Sequence, residues 1–238
     1  MWARMVGWGS GLLVLVSPVA RGQMAAEARF RAERMAMVAT IAQYGVRDQR
    51  TLEALRRIPR HQFVPGEYQN EAYADYPLPI GYGQTISQPY IVAYMTEMLR
   101  VTPGMKVLEV GTGSGYQAAV LAELGCQVYT VEIFRALADS AEARLRRLGY
   151  AGVRVRHADG HFGWREAAPF DAVIVTAAAD HVPPALIAQM KPGARMVIPV
   201  GSVYGVQNLI LVQKPVKGAV TSENLLPVRF VPMLAGLR

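Results

Sequence analysis

The chain is predicted to be an α/β protein: a doubly wound, mostly parallel seven-stranded sheet preceded by an N-terminal helical extension. Three observations carry this. From about residue 105 onward, short β-branched and apolar runs alternate with helical patterns, as in parallel strands joined by crossover helices. The first of these runs, Lys106-Val107-Leu108-Glu109-Val110, passes directly into Gly111-Thr112-Gly113-Ser114-Gly115 and then into the small-residue helical segment Tyr116-Gln117-Ala118-Ala119-Val120. A length of 238 residues with 52% hydrophobic content is enough core for one large domain and a short extension.

Taken in order, the chain begins with a single Arg4, an apolar run over 11–16, and small residues Ala20 and Gly22. This pattern reads as a secretory signal peptide over 1–22, cut after Gly22, and predicts a periplasmic or exported protein. The alternative is translation starting near Met24 in a cytoplasmic protein. Residues 24–44 carry helical spacing. Asp48 precedes Leu52, Leu55 and Ile58, a short amphipathic helix with an N-cap, stopped by the Pro59 to Pro65 connection. The stretch 67–88, rich in Tyr, Pro and Gly, is expected to be irregular; a loop of that length in a compact domain is usually functional. Ser87-Gln88-Pro89 opens a helix running to Met98. Residues 23–100 are thus read as an extension that supplies a substrate mouth, and 101–238 as the α/β core. Strands are expected near 106–110, 127–132, 153–157, 171–176, 195–200, 208–213 and 226–232, and helices near 115–124, 135–148 and 184–190.

The glycine turn indicates the ligand. A strand–glycine turn–helix unit holds a nucleotide moiety at the carboxyl end of a parallel sheet. A dinucleotide fingerprint counted from Gly111 needs its third glycine at position 116, which is Tyr116. A phosphate-binding loop would end in Gly-Lys-Ser/Thr, and this one does not. Instead a carboxylate, Glu109, stands two residues before Gly111. A carboxylate there repels phosphate and suits a cation. S-adenosylmethionine, positive at sulfonium and ammonium and free of phosphate, fits.

Two further acids stand at strand ends. Glu132 closes the run Val128-Tyr129-Thr130-Val131-Glu132-Ile133, about twenty residues past the glycines, where an acid accepts from both ribose hydroxyls. Asp159, in His157-Ala158-Asp159-Gly160, closes the next strand within reach of an adenine amino group. Each has a plainer reading, as a helix N-cap or turn residue. The expected cofactor set is Glu109, Gly111, Thr112, Gly113, Gly115, Glu132, Ile133, Asp159 and Gly160.

Other classes find less support. Net charge is +7, but the basic residues are scattered, and the densest group, around Arg144 to Arg147, reads as a solvated helix face rather than a nucleic-acid stripe. Cys126 is the one cysteine, which excludes an intramolecular disulfide and a cysteine zinc site. His157 and His161 are four apart but straddle a strand end, so their spacing has no helical meaning and no metal is expected. The leader is too short for a comfortable membrane span, and no stable membrane association is expected.

Several motifs together resemble the protein-L-isoaspartate O-methyltransferase family, of the class I, Rossmann-like methyltransferase fold. They are Ile58-Pro59-Arg60-His61-Gln62-Phe63-Val64-Pro65; Gly83-Gln84-Thr85-Ile86-Ser87-Gln88-Pro89; the glycine turn; Pro169-Phe170-Asp171-Ala172-Val173-Ile174-Val175-Thr176; Val182-Pro183-Pro184 with Lys191-Pro192-Gly193; and Phe230-Val231-Pro232. The glycine turn alone indicates a methyltransferase; the segment 84–89 combined with 230–232 is far more specific. Where the family shows Gly-Asp-Gly and Pro-Gly-Gly, this chain has Ala158-Asp159-Gly160 and Pro192-Gly193-Ala194.

The resemblance implies methyl transfer from S-adenosylmethionine to the α-carboxylate of L-isoaspartyl, and by extension D-aspartyl, residues in damaged proteins, by a monomer that binds no nucleic acid. It implies Ser87 as the catalytic position beside the acceptor carboxylate. Gln84, Thr85 and Ile86 line the same mouth and join the cofactor set with Ser87, while Gln207 falls near the cofactor. Phe230, Val231 and Pro232 form the far wall of the substrate cleft. Read on its own, Ser87 before Gln-Pro is also a good helix N-cap. Competing readings are a class I methyltransferase of a small molecule or RNA, and an adenosyl-ligand-binding module without turnover.

Overall fold

The computed structural model describes residues 17–202 and 204–236. The apolar run of the expected leader, 11–16, lies outside the described residues. Helix α1 (Pro18–Gln43) runs through the expected cleavage point after Gly22. Its buried side chains, Phe30, Arg34, Met37, Val38 and Ile41, recur at helical spacing on one face and seat it on the helices that follow.

Helix α2 (Gln49–Arg57) begins as expected: Asp48 accepts from the main-chain N–H groups of Arg50 and Thr51. Stretch 67–88 holds more regular structure than its composition suggests. After a 3₁₀ turn (Gly66–Glu71) come strands β1 (Leu78–Gly81) and β2 (Gln84–Ile86), an antiparallel hairpin. Its tip residues Tyr82 and Gly83 both adopt positive φ, 55° and 68°. Such a turn matches the twist of the flanking strands, which is why a Pro- and Gly-rich segment still pairs. Helix α3 (Pro89–Leu99) follows.

The core is a seven-stranded sheet. Its strands are β3 (Lys106–Val110), β4 (Gln127–Glu132), β5 (Arg154–His157), β6 (Phe170–Val175), β7 (Met190–Val200), β8 (Gln207–Gln213) and β9 (Thr221–Val228). Their spatial order is β5-β4-β3-β6-β7-β8-β9. The β5–β4, β4–β3, β3–β6 and β6–β7 pairings are parallel; β7–β8 and β8–β9 are antiparallel. Helices α4 (Tyr116–Glu123), α5 (Arg135–Arg147) and α6 (Pro184–Ala188) fill the crossovers. Alternate residues of each central strand serve two cores: Val107, Ala172 and Ile174 face one layer, and Leu108, Val110, Val173 and Val175 face the other. Fully burying each of the valine, leucine and isoleucine side chains contributes roughly 1.5–3 kcal/mol.

The last strand differs from expectation. It spans Thr221–Val228, and residues 230–232 leave the sheet. Gln207 Oε1 accepts the N–H of Phe230 at 2.8 Å and turns the chain; Ala178 N–H then donates to Val231 O at 2.8 Å, and Ala178 bridges Pro232. The chain therefore crosses from the sheet edge to the carboxyl end of β6. Strand β7 also begins earlier than expected, at Met190, across an irregular pairing with β6.

Candidate active site

The chain reverses its direction of winding at β3, which has β4 on one side and β6 on the other. Crevices at the carboxyl ends of strands form at such a point. Gly111 turns there at φ 98°, and a Cβ on it would come within 2.5 Å of Thr176 Oγ1. Thr176 Oγ1 donates to Gly111 O at 2.7 Å, so the tip of β6 clasps the glycine turn. Gly113 lies under the hairpin, its Cβ position 3.3 Å from Ile80. Gly115 serves packing instead: at φ 86°, its Cβ position is 3.2 Å from Leu145 of α5.

Two adjoining clefts meet at this turn. The larger has an open volume of about 540 Å³; Gln84, Thr85, Gly111, Gly113, Glu132, Ile133 and Gly160 line it with Phe134, Thr176, Val231 and Pro232. The second, about 310 Å³, is lined by Thr85, Ile86, Ser87, Glu109, Gly111, Thr112, Gly113 and Ser114. Among the described residues no lysine or arginine lines either one.

The three acids sit in three different environments. Glu132 Oε2 accepts from Gly113 N–H at 2.8 Å and Oε1 from Phe134 N–H at 3.0 Å. A carboxylate has about four acceptor sites, so hydroxyls can still be bound. Glu109 is fully buried, and neither oxygen has a hydrogen-bond partner. Burial pushes its carboxyl up to about 8; the nearby Thr130 hydroxyl works against the shift but is itself paired with Thr112 Oγ1 at 2.6 Å. Asp159 caps the 3₁₀ turn Gly160–Phe162, accepting from His161 N–H at 2.9 Å, and its other oxygen accepts from Gly236 N–H at 3.1 Å. Burial opposes its ionisation, but the hydrogen bonds from His161 and Gly236 outweigh that and hold it below the usual carboxylate range.

These donors and acceptors fit S-adenosylmethionine. An orphaned buried carboxyl wants a cation, a half-used carboxylate wants hydroxyls, and the absence of basic lining leaves phosphate unbalanced.

A third, open groove lies on the far side of Ser87. It is lined by Thr85, Ser87, Gln88, Ile91, Val206, Val228, Arg229 and Phe230. Ser87 and Thr85 are shared between this groove and the cleft of Glu109. Ser87 does not cap α3: the N-cap position is Gln88, and Asp75 Oδ1 accepts the Tyr90 N–H at 2.8 Å. The wall residues divide, with Phe230 lining the groove and Val231 and Pro232 the cofactor-side cleft.

Three expected site residues stand apart from the clefts. Gly115 packs against α5. The Asp159 carboxylate is occupied as a cap, although Gly160 beside it lines the cleft. Gln207 is buried and fully engaged, donating to Ser202 O and Gly205 O and accepting from Phe230. It braces the groove wall and touches no cleft. Phe134, Thr176, Met233 and Leu234 line the cofactor-side cleft without having been singled out. The position of Thr176 at the end of a predicted strand was the one available signal among them. Among the described residues, no cluster of three or more His, Cys, Asp or Glu could hold a metal, and no helix is long and apolar enough to cross a membrane.

Comparison with known proteins agrees with this geometry. The family described as Protein-L-isoaspartate(D-aspartate) O-methyltransferase (PCMT) matches residues 32–238. Protein-L-isoaspartate O-methyltransferase 2 of Syntrophobacter fumaroxidans is 51% identical over 240 residues, covering 96% of this chain and 97% of the relative. Protein-L-isoaspartate O-methyltransferase of Gloeobacter violaceus is 54% identical over 190 residues, covering 79% and 92%. A solved protein-L-isoaspartate O-methyltransferase structure superposes with a TM-score of 0.79 at 30% identity, over 86% of this chain and 67% of that one. A Plasmodium falciparum protein in complex with S-adenosyl-L-homocysteine shares the fold, with a TM-score of 0.72 at 22% identity over 84% and 98%. With its family signature spanning residues 32–238, and with the clefts such a reaction needs, the chain belongs to the protein-L-isoaspartate(D-aspartate) O-methyltransferase family.

Proposed function

We propose that this chain uses S-adenosylmethionine to methylate the α-carboxylate of L-isoaspartyl residues, with Ser87 as the residue that meets the acceptor. The observation that carries the assignment of Ser87 is its position between the cleft of Glu109 and the open groove of Phe230, with no cap to make.

When bound, S-adenosylmethionine supplies a methyl group on a positively charged sulfur. Glu132 accepts from ribose hydroxyls with the oxygen lone pairs that Gly113 and Phe134 leave open. Glu109, buried in β3 just before the turn, would become a countercharge by losing its proton when the cation binds. The acceptor is a carboxylate with an ordinary pKa of ~3.5, already ionised at neutral pH, so no general base is required. The Ser87 hydroxyl orients that carboxylate by donating to it, and Thr85 and Ile86 wall the junction. Alignment of this kind can supply roughly 7–11 kcal/mol of a barrier. Phe230 and Val228 grip an extended peptide in the groove, which has no acidic lining to repel the acceptor. Residues 23–100 supply the mouth and 101–238 the cofactor site, in one monomeric unit that takes isoaspartyl proteins and peptides and no nucleic acid.

Incubation with radiolabelled S-adenosylmethionine and paired peptides differing only in Asp or isoAsp tests the activity. Label should enter the isoAsp peptide alone; equal labelling of both would refute the substrate assignment, and a D-aspartyl peptide extends the same assay.

The leader pattern supports export. The first buried side chain described on α1 is Phe30, which lies beyond the expected cut after Gly22. N-terminal sequencing from the native host should read from Gln23; a start at Met1 or Met24 would refute cleavage there.

A further inference from the structure

Arg60 heads the fully buried side chains of this protein by size, at 0% exposure. Among the described residues no carboxylate lies in ion-pair range of it. A buried cation with no direct ion pair, opposed only at longer range by Asp75, is expensive to keep, so packing alone is a poor reason to have one. Its hydrogen bonds show where it acts. Nε donates to Ala72 O at 2.7 Å, and Nη2 donates to Ser87 O at 2.8 Å. The guanidinium plane lies over the ring of Tyr116, 4.8 Å from the centroid. Burial lowers its pKa to about 10, so the group stays charged at neutral pH.

A carboxylate holds the same segment from the other flank. Asp75 Oδ1 accepts the N–H of Tyr90 at 2.8 Å, and Oδ2 accepts from Gln88 Nε2 at 2.9 Å. The short run Ser87-Gln88-Pro89-Tyr90 is therefore pinned between a cation and an anion, both carried by the connection that leads up to β1. Among the described residues the Ser87 hydroxyl makes no hydrogen bond of its own, so its location depends on where the main chain is held.

We propose that Arg60 is a positioning residue for the methyl transfer: by holding the Ser87 carbonyl, with Asp75 as counter-anchor, it sets the place of the Ser87 hydroxyl at the junction of cofactor cleft and peptide groove. This rests on the reading of Ser87 as the residue that meets the acceptor. Arginine is required because one planar fork must reach two carbonyls while stacked on Tyr116; a lysine ammonium is a single point charge and does not span them.

The test is a double-mutant cycle in the full-length protein. Arg60→Lys, Ser87→Ala and the combined variant are compared for kcat at saturating isoaspartyl peptide, for S-adenosylhomocysteine Kd and for Tm. Arg60→Lys is expected to lower kcat about 10-fold or more, as misplacement of a catalytic group does, with Kd within about 2-fold. In the Ser87→Ala background, Arg60→Lys should lower kcat no further, because the hydroxyl it places is gone. Multiplying losses in the double variant would overturn the proposal, since Arg60 would then act on something else. If Ser87→Ala alone keeps wild-type kcat, the reading of Ser87 fails first, and the single variant reports that separately. Should Arg60→Lys not fold, Asp75→Ala probes the other anchor: a kcat loss silent in the Ser87→Ala background supports the clamp, and wild-type turnover overturns it.

Discussion

Glu132 Oε2 accepts the main-chain N–H of Gly113 at 2.8 Å, joining the end of β4 to the glycine turn that follows β3. The bond orients the carboxylate before any ligand arrives, and with Phe134 N–H on the other oxygen the group is fixed in one plane. On the proposed reading, cofactor recognition and local folding share one side chain. Glu132→Ala should weaken S-adenosylhomocysteine binding by about 1–3 kcal/mol, the cost of leaving buried polar groups unpaired. Calorimetry checks this; an unchanged Kd would remove Glu132 from the nucleoside site.

Ser87 lines both the cofactor cleft and the peptide groove. Ser87→Ala is expected to reduce kcat at least about 10-fold while leaving S-adenosylhomocysteine affinity within about 2-fold, because its hydroxyl orients the acceptor rather than the nucleoside. Steady-state kinetics with isoaspartyl peptide, beside a binding titration, separates the two. A large loss of cofactor affinity would place Ser87 on the wrong side of the junction.

Glu109 predicts a pH dependence whose sign follows from its burial. Its folded-state pKa of about 8 lies above the ordinary 4.5. The unfolded chain therefore ionises first as pH rises. The contribution of Glu109 to the stability of the cofactor-free protein is full below about pH 4.5 and is lost on the way to about pH 8, with a limiting slope near 1.4 kcal/mol per pH unit. Thermal melts of Glu109→Gln should lack that component of the slope. A cation bound beside Glu109 favours its charged form, so binding of S-adenosylmethionine near neutral pH, in the absence of peptide, should release a proton. Calorimetry in buffers of different ionisation enthalpy reads this; identical heats would show that Glu109 does not face the ligand.

Gly111 and Gly115 should fail differently when given a methyl group. Both have positive φ, so each alanine costs roughly 1–2 kcal/mol in backbone strain. At Gly111 the methyl also collides with Thr176 Oγ1 and displaces the cofactor turn, so binding should be lost with stability. At Gly115 it meets Leu145 of α5, away from the clefts, so Tm should fall while Kd stays within about 3-fold. Equal losses of affinity at both positions would contradict this division.

Gln207 accepts from Phe230 N–H and donates to Ser202 O and Gly205 O. Gln207→Ala should free the groove wall and raise the KM for peptide while leaving the KM for S-adenosylmethionine unchanged. Kinetics with each substrate varied in turn decides it. A selective rise in the cofactor's KM would restore Gln207 to the cofactor site.

The local signals read well from the chain alone. Strand–glycine turn–helix, acids at strand ends, the Asp48 cap and the alternation from residue 105 onward depend on neighbours within a few residues, and the structure contains all of them. What did not read is lateral. Nothing near Thr176 says that β6 lies beside β3, yet that pairing closes the glycine turn. The serine before Gln-Pro looked equally suited to capping a helix, and the cap comes instead from Asp75, thirteen positions before Gln88.

By itself the sequence determined the α/β class, the phosphate-free cationic nucleoside ligand and the family, because periodicity, glycine placement and motif chemistry are written along the chain. Only the tertiary structure decided which acid is orphaned and which is braced, that Gln207 hydrogen-bonds the main chain of Phe230, and that Arg60 reaches the Ser87 carbonyl. The physical reason is that burial and hydrogen-bond partnership depend on the packing of strands and loops far apart in sequence, and those set the charge state and position of each group.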